Sequence, residues 1–287
     1  MKFENSSRKL MFFATFLCIF SCTHIFAGNK CVWYNDKSAM TFSLFGNVSP
    51  VVRMALSMFR TDMQQVTGKN PLEVPFASAG ICIVQMDKSS FMQSSLSTMG
   101  VPIKKLLGKK DAFYIGTVKM HRNHRLIVVG SDARGTAYGI LELSRLAGVS
   151  PWVWWNDVTP IHKDTLSLPE GFSTLQSPSV EYRGIFLNDE DWSLQPWSWK
   201  TFEPSPIMGR IGAKTYKEIF KLLLRLRANM IWPGMHGITT SFYLVPGAKE
   251  MADSCGIVIG TSHCEPLMRS NVGEWKVAER GRYNYIT

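Results

Sequence analysis

The sequence predicts an α/β protein. A small N-terminal α/β domain is followed by the first strands and helices of a (β/α)8 barrel, left incomplete. Three observations lead there. Short apolar runs of strand length alternate with stretches of helical period from about residue 50 onward. After residue 180 the order is strand, helix, strand, helix, strand. Each of those last three strands runs out into polar residues, which is how parallel α/β folds and barrels build a site at their carboxyl ends. The 287 residues are enough for about two domains, and 45% hydrophobic with 19% charged residues is an ordinary globular composition.

Residues 1–27 read as a secretory leader. Lys2, Arg8 and Lys9 give the positive start, and 10–20 is apolar apart from Thr15. That run has the length of a signal core and is too short for a comfortable membrane span. Cleavage follows Ala27, or Cys22 takes a lipid instead. The sequence therefore expects an exported protein, periplasmic, extracellular or lipid-anchored at the surface, without a membrane span. The net charge of +10 becomes +8 without the leader's three Lys/Arg and one Glu, and suits an acidic ligand or a polyanion. Lys and Arg never run longer than two and no nucleic-acid motif occurs, so nucleic acid is not an expected partner. The cysteines show no CxxC or metal spacing, no HExxH occurs, and neither metal nor cofactor is expected. Cys31, Cys82, Cys255 and Cys264 read as buried free thiols.

The N-terminal domain is expected over 28–175. Ser49 and Pro50 start an amphipathic helix that Gly68 stops. Residues 80–86 form an apolar strand. Residues 112–118 and 126–129 pair as a hairpin about the polar turn 119–125. Ser131 and Asp132 cap a helix over 133–147, which Gly148 ends. The Gly130-Ser-Asp-Ala-Arg-Gly135 turn resembles a phosphate loop only superficially. It lacks the Gly-Lys-Ser/Thr ending and the GxGxxG spacing, so a tight strand-to-helix turn accounts for it. Trp152, Trp154 and Trp155 between two prolines read as a packing wedge, with stacking on a sugar as the alternative. Residues 159–180, punctuated by prolines, form an extended strap.

The second domain is expected over 176–287. Residues 182–187 make a strand that exits into Asn188, Asp189, Glu190 and Asp191, where adjacent acids repel and raise one another's pKa. A long loop, 192–212, precedes a helix over 214–229. Residues 230–232 are a strand running out through Trp232 to His236. A helix over 248–254 leads to the strand 257–259, which runs out to His263 and Glu265. Each histidine alone suits a structural role, but three polar exits in phase suggest one rim. A complete barrel needs about 250 residues, so only its opening units are expected here.

The stretches 130–139, 148–158, 182–192, 214–236 and 247–275 together resemble glycoside hydrolase family 115, the xylan α-glucuronidases. The resemblance implies an exported enzyme, commonly dimeric, acting on glucuronoxylan or aldouronic acids. It would remove (4-O-methyl-)glucuronic acid by hydrolysing an α-1,2 bond with inversion. The family motif implies Asp189 as a catalytic carboxylate, with Glu265 as a second acid or a sugar ligand. Trp232 would stack on the uronic acid, and Arg183, Asn188, His236 and His263 would hydrogen-bond it. Arg183, inside the strand, suits a structural role slightly better than a sugar ligand's. The alternatives are an inactive fragment or carbohydrate-binding remnant, or a related family 67 glucuronidase or family 20 hexosaminidase-like enzyme.

Overall fold

A computed structural model describes residues 29–46, 48–87, 89–120, 123–188, 192–234, 237–261, 269–270, 274–275, 279 and 281–282. The leader, 1–27, lies outside them. The elements run β1 (Lys30–Asn35), β2 (Thr41–Phe45), α1 (Pro50–Thr67), β3 (Leu72–Glu73), β4 (Ile81–Gln85), α2 (Ser90–Thr98) and α3 (Ile103–Leu106). They continue with β5 (Phe113–Met120), β6 (Asn123–Gly130), α4 (Ala133–Leu146), β7 (Thr165–Pro169), β8 (Ser173–Gln176) and β9 (Gly184–Phe186). The last are α5 (Leu194–Trp197), α6 (Ala213–Arg225), β10 (Met230–Trp232), α7 (Ala248–Cys255) and β11 (Val258–Ile259).

The first sheet has the order β3-β2-β4-β6-β5-β8. Strands β3, β2, β4 and β6 are parallel, while β5 runs antiparallel to both β6 and β8. Alternation sorts its side chains between two layers. Phe42, Ile81, Ile83, Phe113 and Val128 face α1 and α4, whereas Cys82, Val84, Ile127 and Val129 face α2 and α3.

The expected helices form with small shifts at their ends. Helix α1 starts at Pro50, but Ser49 makes no side-chain cap; Gly68 closes it at φ 72°, the left-handed conformation glycine adopts without steric cost. Asp132 caps α4 by accepting from the Gly135 amide at 2.8 Å. Gly135 has no room for a side chain, because a Cβ would sit 2.2 Å from the Ala112 carbonyl oxygen. That close strand-to-helix approach explains the glycine-rich turn without a phosphate. The hairpin strands reach further into the polar turn than expected, to Met120 and Asn123. The strap contains β7 and β8, which pair with β1 and β5.

The second sheet has the order β11-β10-β9, all parallel. Met230 pairs with Gly184 and Val258, and Ile231 with Ile185 and Ile259. Helix α6 ends at Arg225 rather than near 229, because Arg227 turns left-handed at φ 60°. Tyr216, Phe220 and Leu223 on α6 bury against the core that also holds Phe42 and Phe59. The change of sheet falls after Gln176, yet the apolar core is continuous across it, and Cys31–Thr287 cluster as one compact unit. Arg225 donates to Asp62 of α1 at 2.7 and 2.8 Å, a buried pair linking α6 to α1. Among the described residues no helix is long and apolar enough to cross a membrane.

Candidate active site

The parallel register places the carboxyl ends of β9, β10 and β11 along one edge. The Leu187 amide donates to the Trp232 carbonyl at 2.7 Å, and the Gly260 amide to the Ile231 carbonyl at 2.8 Å. The ladder therefore carries on past the strands, to Leu187 on one side and Gly260 on the other, each one residue before Asn188 and Thr261. Asp189, His236, His263 and Glu265, with Glu190 and Asp191, lie outside the described residues. Of the expected site residues, the structure brings Asn188 and Trp232 to this edge.

Trp232 is held from two sides. Its ring meets that of Phe186 edge-on, 6.2 Å between centroids. Its indole also covers Gly260, where a Cβ would lie 2.3 Å from Nε1. Trp232 remains 40% exposed and Phe186 45% exposed, so an aromatic surface is presented rather than buried. With Gly184, Ile185 and Met230 these rings line a groove of about 250 Å³. Neither Phe186 nor Gly260 was singled out by sequence. Both follow from alternation, since 184 and 186, 230 and 232, and 258 and 260 project from one face.

The loops that leave β9 and β10 are laced together. Gln195 Nε2 donates to the Ile238 carbonyl at 2.8 Å, and the Thr240 amide to the Gly209 carbonyl at 2.9 Å. Glu203, from the long loop after β9, caps α6: its carboxylate accepts from the Lys214 and Thr215 amides at 3.0 and 3.1 Å. A negative charge there offsets the positive end of the helix. The local sequence could not give this cap, because Glu203 lies 11 residues before Lys214. Trp154 meets Trp197 and Phe202, and Trp155 meets Trp197, with ring centroids 5.3–6.2 Å apart, which bears out the packing wedge for these two of the three tryptophans.

Of the two readings of Arg183, the contacts support the structural one. It precedes β9 at the amino end, away from the exits, and all five of its N–H groups are engaged. Nε donates to the Arg227 carbonyl, Nη1 to the carbonyls of Val180 and Glu181, and Nη2 to Asp111 and the Tyr138 hydroxyl. Asp111 also accepts from Arg134 at 2.8 Å and from Asn229 at 2.9 Å. Burial alone pushes the Asp111 carboxyl up, but the guanidinium groups of Arg183 and Arg134 outweigh it and hold the pKa below the ordinary range. Burial, aided by the Asp111 charge, lifts the Tyr138 hydroxyl to about 12.

Among the described residues no three His, Cys, Asp or Glu side chains gather as metal ligands. Cys31, Cys82 and Cys255 are buried and free. Burial pushes the Cys255 thiol up to about 12, so it is inert at neutral pH.

Residues 175–287 match the family model described as glycosyl hydrolase family 115. Among solved structures, a family GH115 4-O-methyl-alpha-glucuronidase with specificity for decorated arabinogalactans is 45% identical at a TM-score of 0.79. The match covers 89% of this chain and 32% of that one, so this chain spans about a third of that protein's length. A mutant Streptomyces plicatus beta-hexosaminidase bound to its product is 11% identical at a TM-score of 0.49, over 82% of this chain and 43% of that one. So remote a likeness carries no functional information. No curated protein matches the chain significantly.

Proposed function

This chain belongs to glycosyl hydrolase family 115, and from that premise we propose that the protein is an α-glucuronidase. It releases (4-O-methyl-)glucuronic acid from the α-1,2-linked side branches of a plant polysaccharide, with inversion. The observation that carries this reading is the shared exit edge of β9, β10 and β11. Asp189 and Glu265 follow Asn188 and Thr261 by one and four residues along the chain. Inversion needs one carboxyl to protonate the leaving oxygen and another to activate water, roughly 6.5–9.5 Å apart. We assign Asp189 to one of these roles. Glu265 takes the other or binds the sugar. Trp232 offers its exposed face to the apolar side of the uronic acid ring, and Asn188, His236 and His263 hydrogen-bond its polar groups. The three parallel strands are read as the start of a (β/α)8 barrel, and the leader 1–27 as the export signal.

Two polymers compete as substrate. The family resemblance favours glucuronoxylan. The 45% identical structure is of an enzyme with specificity for decorated arabinogalactans, which favours that polymer. Incubating the protein with glucuronoxylan, with aldouronic acids and with glucuronic acid-decorated arabinogalactan, and following products by proton NMR, decides between them. The expected product is glucuronic acid, appearing first as the β-anomer. First appearance of the α-anomer would remove inversion, and hydrolysis of N-acetylhexosaminides alone would overturn the glucuronidase reading.

A further inference from the structure

We propose that the cleft between α1, α6 and the tryptophan turn at 151–155 is a second carbohydrate site, which takes a uronate-bearing sugar. It goes beyond the hydrolytic site and shares no lining residue with the groove at Trp232. The cleft measures about 150 Å³, the scale of a single sugar ring and well below the range of about 300–1,000 Å³ that holds drug-sized ligands.

Its wall is aromatic and rigid. Trp154 is fixed by edge contacts to Trp155, Trp197 and Phe202, yet remains 37% exposed. A braced, partly exposed ring suits the apolar C–H side of a pyranose, because the ring itself needs no ordering on binding.

The charges in the cleft are matched except for one. Arg225 pairs with Asp62, and Lys221 with Glu218 at 2.7 Å. Lys217, half-buried in the same wall, makes no ion pair or hydrogen bond among the described residues. An ammonium in that position favours a carboxylate. On the facing helix, Gln65 is exposed and its amide has no partner among the described residues, which leaves it free for sugar hydroxyls. Aromatic face, unmatched cation and free amide together select an acidic sugar over a neutral sugar or a bare anion.

The test measures binding, so it stands whether or not the hydrolysis proposed above is found. The Trp232→Ala protein, with the groove at the strand exits impaired, is run through gels containing glucuronoxylan. It is also titrated by tryptophan fluorescence with methyl glucuronide, methyl glucoside and inorganic phosphate. The expected result is retention by the polymer and a response to the glucuronide alone. Adding Lys217→Met should weaken affinity at least about tenfold, the scale of one charge-assisted hydrogen bond, and Lys217→Arg should restore most of it. The same Lys217→Met change in the otherwise unaltered chain should reduce retention without moving the melting temperature, which separates lost binding from lost folding. Equal affinity with and without Lys217, an equal response to phosphate or glucoside, or no retention would each overturn the proposal.

Discussion

The two ends of the β9–β10–β11 sheet are built on opposite principles. At the amino end Arg183, Asp111 and Asn229 form a network in which every guanidinium N–H of Arg183 has an acceptor. At the carboxyl end Trp232 and Phe186 stay exposed over a groove, and the chain passes directly into carboxylates and histidines. One end satisfies its polar groups internally and ties the sheet to Asp111, just before β5, and to Tyr138 on α4. The other leaves aromatic surface open to a partner. The lesson is that polarity alone does not mark a site. What marks it is exposed aromatic surface held on a rigid element.

The sharpest way to break the first half of the comparison is Asp111→Ala. It leaves the Arg134 and Arg183 charges uncompensated in a buried setting, and the expected loss is about 3–5 kcal/mol in chemical denaturation. The network also predicts acid sensitivity of definite sign. The folded-state pKa of Asp111 is depressed. Its stabilising contribution is therefore complete above the unfolded value of about 3.9 and is lost as pH falls through the folded value. The stability gap between the unaltered protein and Asp111→Asn should be constant above about pH 5 and shrink below about pH 4. A gap that widens on acidification would contradict the assignment.

The carboxyl end should respond more weakly in stability. Glu203→Ala removes the α6 cap and should cost about 1 kcal/mol by thermal melting. Gly260→Ala drives a methyl into the Trp232 indole. It should lower the affinity for uronic acid substrates severalfold, read as a rise in KM, with a stability loss below about 1 kcal/mol because the displaced ring is partly exposed. An unchanged KM would show that the position of Trp232 is irrelevant to the sugar.

Much of this was legible in the sequence. Strands β4, β9 and β10 and helices α1, α4 and α6 are recorded by local period and by Pro and Gly punctuation. Strands β1, β2, β7 and β8 were not, because their pairing is set by distant partners; β8, for instance, pairs with β5. The common edge of β9–β11 was visible as three polar exits in phase. The partners of Arg183 were not, since its carboxylate lies 72 residues away and Asn229 reaches the same carboxylate from 118 residues away. No local pattern announces such a meeting. Gly260 was equally silent, because only the register against β10 shows what its missing side chain accommodates.

The most direct test of the central claim is release of glucuronic acid by Asp189→Asn, measured beside its denaturation curve. A carboxylate at the open end should be needed for turnover and not for the fold. The account predicts turnover reduced by at least about a thousandfold with stability unchanged within about 0.5 kcal/mol. Wild-type turnover, or a loss of stability on the scale of Asp111→Ala, would contradict it.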